Sequence, residues 1–207
     1  MKTISVLGAN GQTGQHVVRQ LQERGDKVIA IFRNEDDEER IRSTGADVVT
    51  VDFSRASVDD MVLAILGSDA VVYTAGGDIN AVDRDGSVKA VDAAQIAGIR
   101  RFVQVSVADR PKQLRSPDWD EFYNAKRAAD RNLRASNLDW TILEPGRLDN
   151  NHATGRVELG EPSNSSIARA DVAAAVLASL DDDRTIGHAW ELTGGETRIR
   201  DAIDHLV

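Results

Sequence analysis

Short apolar runs alternate with longer segments of helical periodicity along the 207-residue sequence. The apolar runs are nearly continuous and rich in β-branched residues, which is typical of strands buried on both faces of a parallel sheet. Strands are predicted over residues 3–7, 27–32, 47–51, 70–74, 101–106, 140–143 and 189–192. Helices are predicted over residues 14–24, 57–66, 86–97, 119–135, 171–180 and 197–206. Asp171 and Thr197 are the predicted N-caps of the last two helices.

Strands separated by helices require right-handed βαβ crossovers, and these crossovers cover a sheet on both sides. We therefore predict an α/β fold of the Rossmann type, with a doubly wound parallel sheet of about seven strands in a three-layer αβα arrangement. No linker or repeat divides the chain, so residues 1–207 are predicted to form a single domain. Three long irregular stretches, 75–84, 107–118 and 146–166, each follow a strand. They are predicted at the carboxyl edge of the sheet, on the substrate side, where open α/β sheets bind ligands.

Composition excludes several classes of function. Cysteine is absent, so the chain has no disulfide, no thiolate nucleophile and no thiolate metal site, and its four histidines lack metal-ligand spacing. The net charge of −9 argues against a nucleic-acid partner, which normally requires a basic surface. No apolar run approaches the roughly 18 residues of a membrane span. Because the first residues also lack signal-peptide features, a cytoplasmic protein without a membrane partner is expected.

The first predicted strand ends in a glycine-rich turn that leads into a helix, Gly8-Ala9-Asn10-Gly11-Gln12-Thr13-Gly14. Gly8 allows the tight turn, Gly11 lets the backbone approach a pyrophosphate, and Gly14 lets the helix pack close to the sheet. The free amides and the positive end of the helix then hold the phosphates. Glycine spacing alone is a weak signal, but its place at the first βα junction predicts a dinucleotide site. The predicted contacts are Gly8, Asn10, Gly11, Gln12, Thr13 and Gly14.

The end of the second predicted strand distinguishes between the two pyridine coenzymes. NAD-binding sites usually place a carboxylate there to bind the ribose 2′-hydroxyl. This chain has Arg33 and Asn34 instead, and no acid before Glu35. The planar guanidinium of Arg33 suits a 2′-phosphate, so NADP(H) is favoured over NAD(H). The alternative is that Arg33 pairs with the acidic run that follows it.

Two further strand ends agree with a coenzyme in this position. Asp52 and Phe53 follow the third predicted strand, where they could contact the adenine and Asp52 could accept a hydrogen bond from its amino group. The small residues Ala75, Gly76 and Gly77 follow the fourth predicted strand and leave room beneath the coenzyme ribose. Both groups are predicted at the carboxyl edge of the sheet, where the glycine turn also lies, and this agreement supports a coenzyme site there.

The sequence resembles the short-chain dehydrogenase/reductase superfamily, specifically its atypical, NmrA-like branch of NAD(P)-binding proteins. The resemblance covers essentially the whole chain. It is carried by the glycine turn, Arg33, Asp52-Phe53, Ala75-Gly76-Gly77, Val105-Ser106, Glu144-Pro145-Gly146 and the run Ile167-Ala168-Arg169-Ala170-Asp171-Val172-Ala173. The resemblance implies that Pro145 and Gly146 lie near the nicotinamide. Proteins of this branch are reductases, relatives of epimerases or redox-sensing regulators, so the family indicates a coenzyme more firmly than a reaction.

The usual catalytic group of the superfamily is Tyr-x-x-x-Lys on one helix, with a serine from the preceding strand. The tyrosine is the acid/base, the lysine lowers its pKa and binds the nicotinamide ribose, and the serine stabilises developing charge. Here the residue four before Lys126 is Phe122, which has no proton to give, and Tyr123 lies about 100° around the helix from it. Either Tyr123 substitutes through a shifted helix start, or this proton-transfer mechanism has been lost. Ser106, Tyr123 and Lys126 are the candidate catalytic residues.

The resulting hypothesis is an NADP(H)-binding, oxidoreductase-like protein that transfers hydride to a small carbonyl, quinone or flavin-like acceptor without the usual tyrosine. The alternative is a non-enzymatic redox sensor that binds NAD(P) and reports to a protein partner. No metal is expected in either case. The helix predicted over residues 119–135 could pair with its copy in a homodimer, and a monomer fits the sequence equally well.

Overall fold

The computed structural model describes residues 1–34, 37–109, 116–160 and 166–205. The strands are β1 (Thr3–Leu7), β2 (Lys27–Phe32), β3 (Asp47–Thr50), β4 (Ala70–Tyr73), β5 (Arg101–Val105), β6 (Asp139–Pro145), β7 (Arg147–Asp149), β8 (Arg156–Leu159), β9 (Ser166–Ala168), β10 (His188–Gly194) and β11 (Thr197–Arg198). The α-helices are α1 (Gln12–Glu23), α2 (Glu38–Arg42), α3 (Val58–Ile65), α4 (Asp85–Ile96), α5 (Pro117–Ala135), α6 (Arg169–Asp181) and α7 (Ile199–Asp204). A π-helical turn, Ile79–Arg84, leads directly into α4.

Nine of these strands form one sheet in the order β11-β8-β10-β6-β5-β4-β1-β2-β3. The strands from β3 to β10 in this order are parallel, whereas β8 runs antiparallel to both β10 and β11. Strands β7 and β9 form a separate parallel pair. The chain order reverses between β1 and β4, and this switch point opens a ligand crevice at the carboxyl edge of the sheet.

Two apolar cores lie on the two faces of the sheet and give the three layers. One core packs α1, α2, α6 and α7 against one face, and it includes Val17 and Leu21 of α1 and Val176 of α6. The other packs α3, α4 and α5 against the opposite face, and it includes Met61 of α3 and Leu133 of α5. The predicted Rossmann-type αβα fold is therefore confirmed.

The prediction of about seven strands is wrong because short strands with charged residues carry a weak apolar signal. Strand β8, for example, contains Arg156 and Glu158, and β11 has only two residues. Strands β7 and β8 lie inside the stretch 146–166 that was expected to be irregular, and the π-helical turn lies inside 75–84. Within 107–118, residues 110–115 lie outside the described part of the chain.

Local sequence signals set several helix ends. Ser57 begins α3 with a capping box, because its hydroxyl accepts the Asp60 amide while the Asp60 carboxylate accepts the Ser57 amide. The predicted N-caps of the last two helices are wrong. Helix α6 begins two residues before Asp171, whose carboxylate instead accepts the amides of Thr154 and Gly155, and Thr197 belongs to β11. Among the described residues, no helix combines the length and apolarity needed to span a bilayer.

Candidate functional site

The turn between β1 and α1 is held tightly against the neighbouring strands. Gly8 has a φ of +88°, in the left-handed region that favours glycine. The amides of Gly8 and Ala9 both donate to the carbonyl of Ile31 in β2, at 2.9 and 3.1 Å. A Cβ on Gly8 would lie 2.5 Å from the backbone of Ala75, so the turn and the end of β4 are in direct backbone contact.

Helix α1 approaches this turn as closely as its backbone permits. A Cβ on Gly14 would lie 2.2 Å from the carbonyl oxygen of Gly8, whereas one on Gly11 would meet only that same oxygen at 3.2 Å. The first turn of α1 carries no acidic residue. The amides of Gln12, Thr13 and Gly14 have no acceptor within the helix, so the turn presents free N–H donors at the positive end of the helix. This backbone cradle fits a diphosphate.

The other predicted residues of the turn have different environments. Gln12 is exposed and Thr13 is buried. The Asn10 side chain donates to Asp37 and accepts from Arg40, which connects the phosphate turn to the start of α2. Asn10 can therefore contact a ligand only if it shares or exchanges these partners.

Arg33 lies one residue beyond β2 and is exposed. The hydroxyl and amide of Ser54 donate to Oδ1 of Asp52, at 2.6 and 3.0 Å. The Ser54 hydroxyl is the main cause that holds the pKa of Asp52 below its usual range, and the charges of Arg33 and Arg55 add to the effect. Asp52 thus has one oxygen committed within its own turn. The suggested pairing of Arg33 with Glu35 and the acid after it falls outside the described residues.

The ends of β3 and β4 form the floor of the crevice. The Phe53 ring is buried and lies 6.3 Å from the ring of Tyr73, so only the backbone of Phe53 remains for the predicted adenine contact. Ala75 is buried, whereas Gly76 and Gly77 are exposed at the carboxyl edge. The region therefore has the small, open character that the sequence predicts.

Lys126 is not a free cation in the structure. Its Nζ lies 2.8 Å from Oδ1 of Asp83 in the π-helical turn, and the two side chains are 8% and 2% exposed. The second oxygen of Asp83 accepts the amide of Gly77 at 3.1 Å. The predicted ribose-binding lysine is thus paired with a buried carboxylate directly beneath the glycine turn that follows β4.

Tyr123 and Lys126 have different neighbours. Phe122 is the residue four before Lys126, and the Lys126 ammonium lies 5.9 Å from the centre of its ring. Tyr123 instead stacks under the guanidinium of Arg127, at 4.9 Å from its ring centre. The structure therefore does not bring Tyr123 and Lys126 together as a tyrosine–lysine pair.

Ser106 belongs to a buried polar cluster between β5, β6 and α5. Its hydroxyl donates to Oδ2 of Asp130 at 2.8 Å, and the Gln104 amide donates to the other oxygen at 2.7 Å. Arg127 donates to Asp130 at 3.1 Å and also to Glu144. Because a carboxylate only accepts hydrogen bonds, the Ser106 hydroxyl is the donor to Asp130. It can therefore offer only its oxygen lone pairs to a ligand.

The cluster continues across the sheet to β10. Glu191 pairs in register with Glu144 of β6, and its Oε1 accepts the amide of Asp109 at 3.2 Å. Burial is the main cause that raises the pKa of Glu191, and the charge of Glu144 adds to it.

Pro145 and Gly146 follow Glu144 and connect to two neighbouring strands. The carbonyl of Pro145 accepts the amide of Ala108, and the amide of Gly146 donates to the carbonyl of Leu192. Pro145 and Gly146 thus join the carboxyl ends of β5, β6 and β10.

Sequence reasoning missed four polar residues near the crevice: Asp83, Arg127, Asp130 and Glu191. Arg127 carries a detectable signal, because it lies four residues after Tyr123 and so shares a helix face with it. The two aspartates have no motif, and only the folded chain brings them to Lys126 and Ser106. Among the described residues, no group of histidine and carboxylate side chains could hold a metal ion.

Comparisons with known proteins agree with this geometry. The profile of a family described as NAD(P)H-binding matches residues 8–183. A Bacillus subtilis protein named as an uncharacterized sugar epimerase is 37% identical over 98% of this chain and 99% of its own length. A UPF0659 protein of Saccharomyces cerevisiae is 38% identical over 86% of both chains.

Solved structures share the fold over nearly the whole chain. A Bacillus halodurans protein, named as an NAD-dependent epimerase/dehydratase, superposes with a TM-score of 0.90 at 30% identity and covers 99% of this chain and 100% of its own. An oxidoreductase from Lactococcus lactis superposes with a TM-score of 0.87 at 26% identity, over 99% and 96% of the two chains.

Proposed function

Because the chain belongs to the NAD(P)H-binding family, we propose that it binds NADP(H) in preference to NAD(H) and reduces a quinone-like or flavin-like acceptor. The observation that carries the coenzyme proposal is the crowded glycine turn. A side chain at Gly14 would collide with the Gly8 carbonyl, and the free amides of α1 face the resulting cradle. The preference for NADP(H) rests on the exposed guanidinium of Arg33 where NAD-binding sites usually carry an acid.

The choice of acceptor rests on the absence of a suitable proton donor among the predicted catalytic residues. Bound nicotinamide supplies the hydride. Phe122, at the usual tyrosine position, cannot give a proton, and Tyr123 stacks on Arg127 instead of lying beside Lys126. The Ser106 hydroxyl already donates its hydrogen bond to Asp130, and Lys126 is paired with Asp83. A simple carbonyl needs a donor at its oxygen during reduction. A quinone or flavin can take its proton from water, so these acceptors suit the site better than an aldehyde.

The lack of a positioned proton donor also supports a second candidate, a non-enzymatic sensor that binds the coenzyme and reports to a protein partner. A sugar epimerase activity, after the name of the Bacillus subtilis relative, is less favoured. Removing a proton from a sugar hydroxyl requires a base, and Phe122 stands where the superfamily places its tyrosine.

The test is a turnover assay with NADPH and a panel of quinones, flavins and aldehydes, followed at the absorbance band of reduced nicotinamide. We expect turnover with a quinone or flavin, none with aldehydes, and the same rate in Tyr123→Phe. A rate that collapses in Tyr123→Phe would return the proton-donor role to that tyrosine. Tight NADPH binding without turnover across the panel would favour the sensor.

A further inference from the structure

A buried ion pair joins the π-helical turn to α5 beneath the glycines that follow β4. Asp83 and Lys126 are 2% and 6% exposed, and Oδ1 of Asp83 lies 2.8 Å from Nζ of Lys126. Replacing a buried ion pair by apolar residues of similar size is often neutral or stabilising. A buried ion pair is therefore weak evidence for a role in stability alone.

Hydrogen bonds from neighbouring residues fix the π-helical turn that carries Asp83. The Tyr73 hydroxyl, at the end of β4, donates to the Val82 carbonyl at 2.6 Å and so ties the π-helical turn to the sheet. Asp78 caps the start of that turn by accepting the amides of Asn80 and Ala81, at 3.1 and 2.8 Å. π-Helical turns are rare and frequently occur at functional sites. Here Asp83 lies within the turn and is buried, with 2% of the residue exposed.

The Asp83 carboxylate holds two separate pieces of the crevice. Oδ1 pairs with Lys126 of α5, and Oδ2 accepts the Gly77 amide at 3.1 Å. A Cβ on Gly76 would lie 3.4 Å from Oδ1, so the carboxylate packs directly beneath this backbone. An ammonium group has three N–H donors, so pairing with Asp83 leaves Lys126 with two more for hydroxyl groups.

Its position in the sheet indicates which part of a coenzyme this unit faces. Dinucleotides lie across the switch point, with the adenosine side over β2 and the diphosphate at the first turn. The nicotinamide half therefore lies on the side of β4 and β5. The Asp83–Lys126 pair holds the glycine turn that follows β4 directly, since Asp83 accepts the Gly77 amide.

On these observations, and given the proposed coenzyme function, we propose that Asp83 is a positioning residue for the nicotinamide half of the coenzyme. Its carboxylate holds Lys126 and the Gly76–Gly77 backbone as one rigid unit, so that the lysine meets the ribose hydroxyls in a fixed geometry. Lys126 is effective only as part of this pair.

The experiment is a calorimetric titration with two ligands, NADPH and adenosine 2′,5′-bisphosphate, which lacks the nicotinamide half. Asp83→Asn keeps the size of the side chain and an acceptor for Gly77 but removes the charge. We expect it to weaken NADPH binding about tenfold or more while the bisphosphate affinity stays within about twofold, because a charged hydrogen bond acts only on the missing half. The control is Asp26→Asn, which breaks a partly buried ion pair with Arg24 at the opposite edge of the sheet and should change neither affinity.

Equal weakening of both ligands in Asp83→Asn would overturn the proposal and leave the pair a merely structural role, and unchanged NADPH binding would overturn it as well. Because an unpaired Lys126 can destabilise the fold, the double variant Asp83→Leu/Lys126→Met is titrated in parallel and should show the same loss for NADPH alone. A wild-type chain that binds neither ligand would instead refute the proposed coenzyme function.

Discussion

Alanine at Gly14 and alanine at Gly11 should affect the stability of the protein differently, because helix α1 approaches the Gly8 backbone much more closely at Gly14 than at Gly11. In Gly14→Ala the new methyl would lie 2.2 Å from the Gly8 carbonyl oxygen, about 1.2 Å short of the 3.4 Å at which ordinary contact begins. The nearest obstacle is the Gly8 backbone, with the Thr74 hydroxyl at 2.9 Å, so α1 must move away from the turn. Overpacking of this kind costs up to about 3 kcal/mol, and the higher helix propensity of alanine returns about 1 kcal/mol. We therefore expect a net loss of about 2 kcal/mol of unfolding free energy.

Gly11→Ala changes the same turn but should lower the free energy of unfolding less than Gly14→Ala. Gly11 has an ordinary φ of −63°, and its Cβ would meet only the Gly8 carbonyl oxygen at 3.2 Å. As an N-cap substitution it should cost about 1 kcal/mol or less. Its methyl would project where a diphosphate approaches the backbone, so coenzyme affinity should fall more than tenfold.

Urea unfolding followed by circular dichroism measures the stability of both variants, and NADPH titration measures their affinity. The expected pattern is a stability loss concentrated in Gly14→Ala and a loss of affinity in both. A Gly14→Ala chain as stable as the wild type would refute the reasoning from close approach. A Gly11→Ala chain that binds NADPH normally would show that the diphosphate does not approach this backbone.

Two other changes test the charges around the crevice. Arg33→Asp should weaken NADPH at least tenfold more than NADH, because it replaces the proposed phosphate ligand by the acid typical of NAD sites; equal effects in parallel titrations would defeat this assignment. Glu191→Gln should raise the melting temperature at neutral pH, because burial and Glu144 raise the pKa of Glu191 above its ordinary value of 4.5. A group whose folded pKa is raised favours folding when protonated, and this contribution is lost as pH rises through the folded pKa. An unchanged melting temperature at neutral pH would therefore contradict burial and Glu144 as the origin of the shift.

Much of the fold follows from features that act locally along the chain. The seven predicted strands and six predicted helices agree with the structure to within two residues at each end, because buried β-branched runs and amphipathic periods are strong signals. Strand β11 at the edge of the sheet and its neighbour β8 were missed because both are short and carry charged residues such as Arg156. The π-helical turn was missed because no residue pattern distinguishes it from an ordinary helix start.

The candidate site divides in the same way. The glycine turn could be predicted because each glycine answers a backbone requirement that its neighbours in sequence define. The partner of Lys126 could not, because Asp83 reaches it only through the packing of the π-helical turn against α5. Asp130 could not be predicted either, because it accepts the hydrogen bond of Ser106 from a different element of the fold. Sequence spacing predicted roles for Ser106 and Lys126 but not the carboxylates that hold them.

Amide hydrogen exchange with and without NADPH tests most directly whether the diphosphate lies on the turn between β1 and α1. We predict that NADPH slows exchange at the free amides of Gln12, Thr13 and Gly14 and leaves helix α3, on the far face of the sheet, unchanged. Exchange at these three amides that stays the same at millimolar concentrations of the reduced and oxidised coenzymes would contradict this placement of the diphosphate.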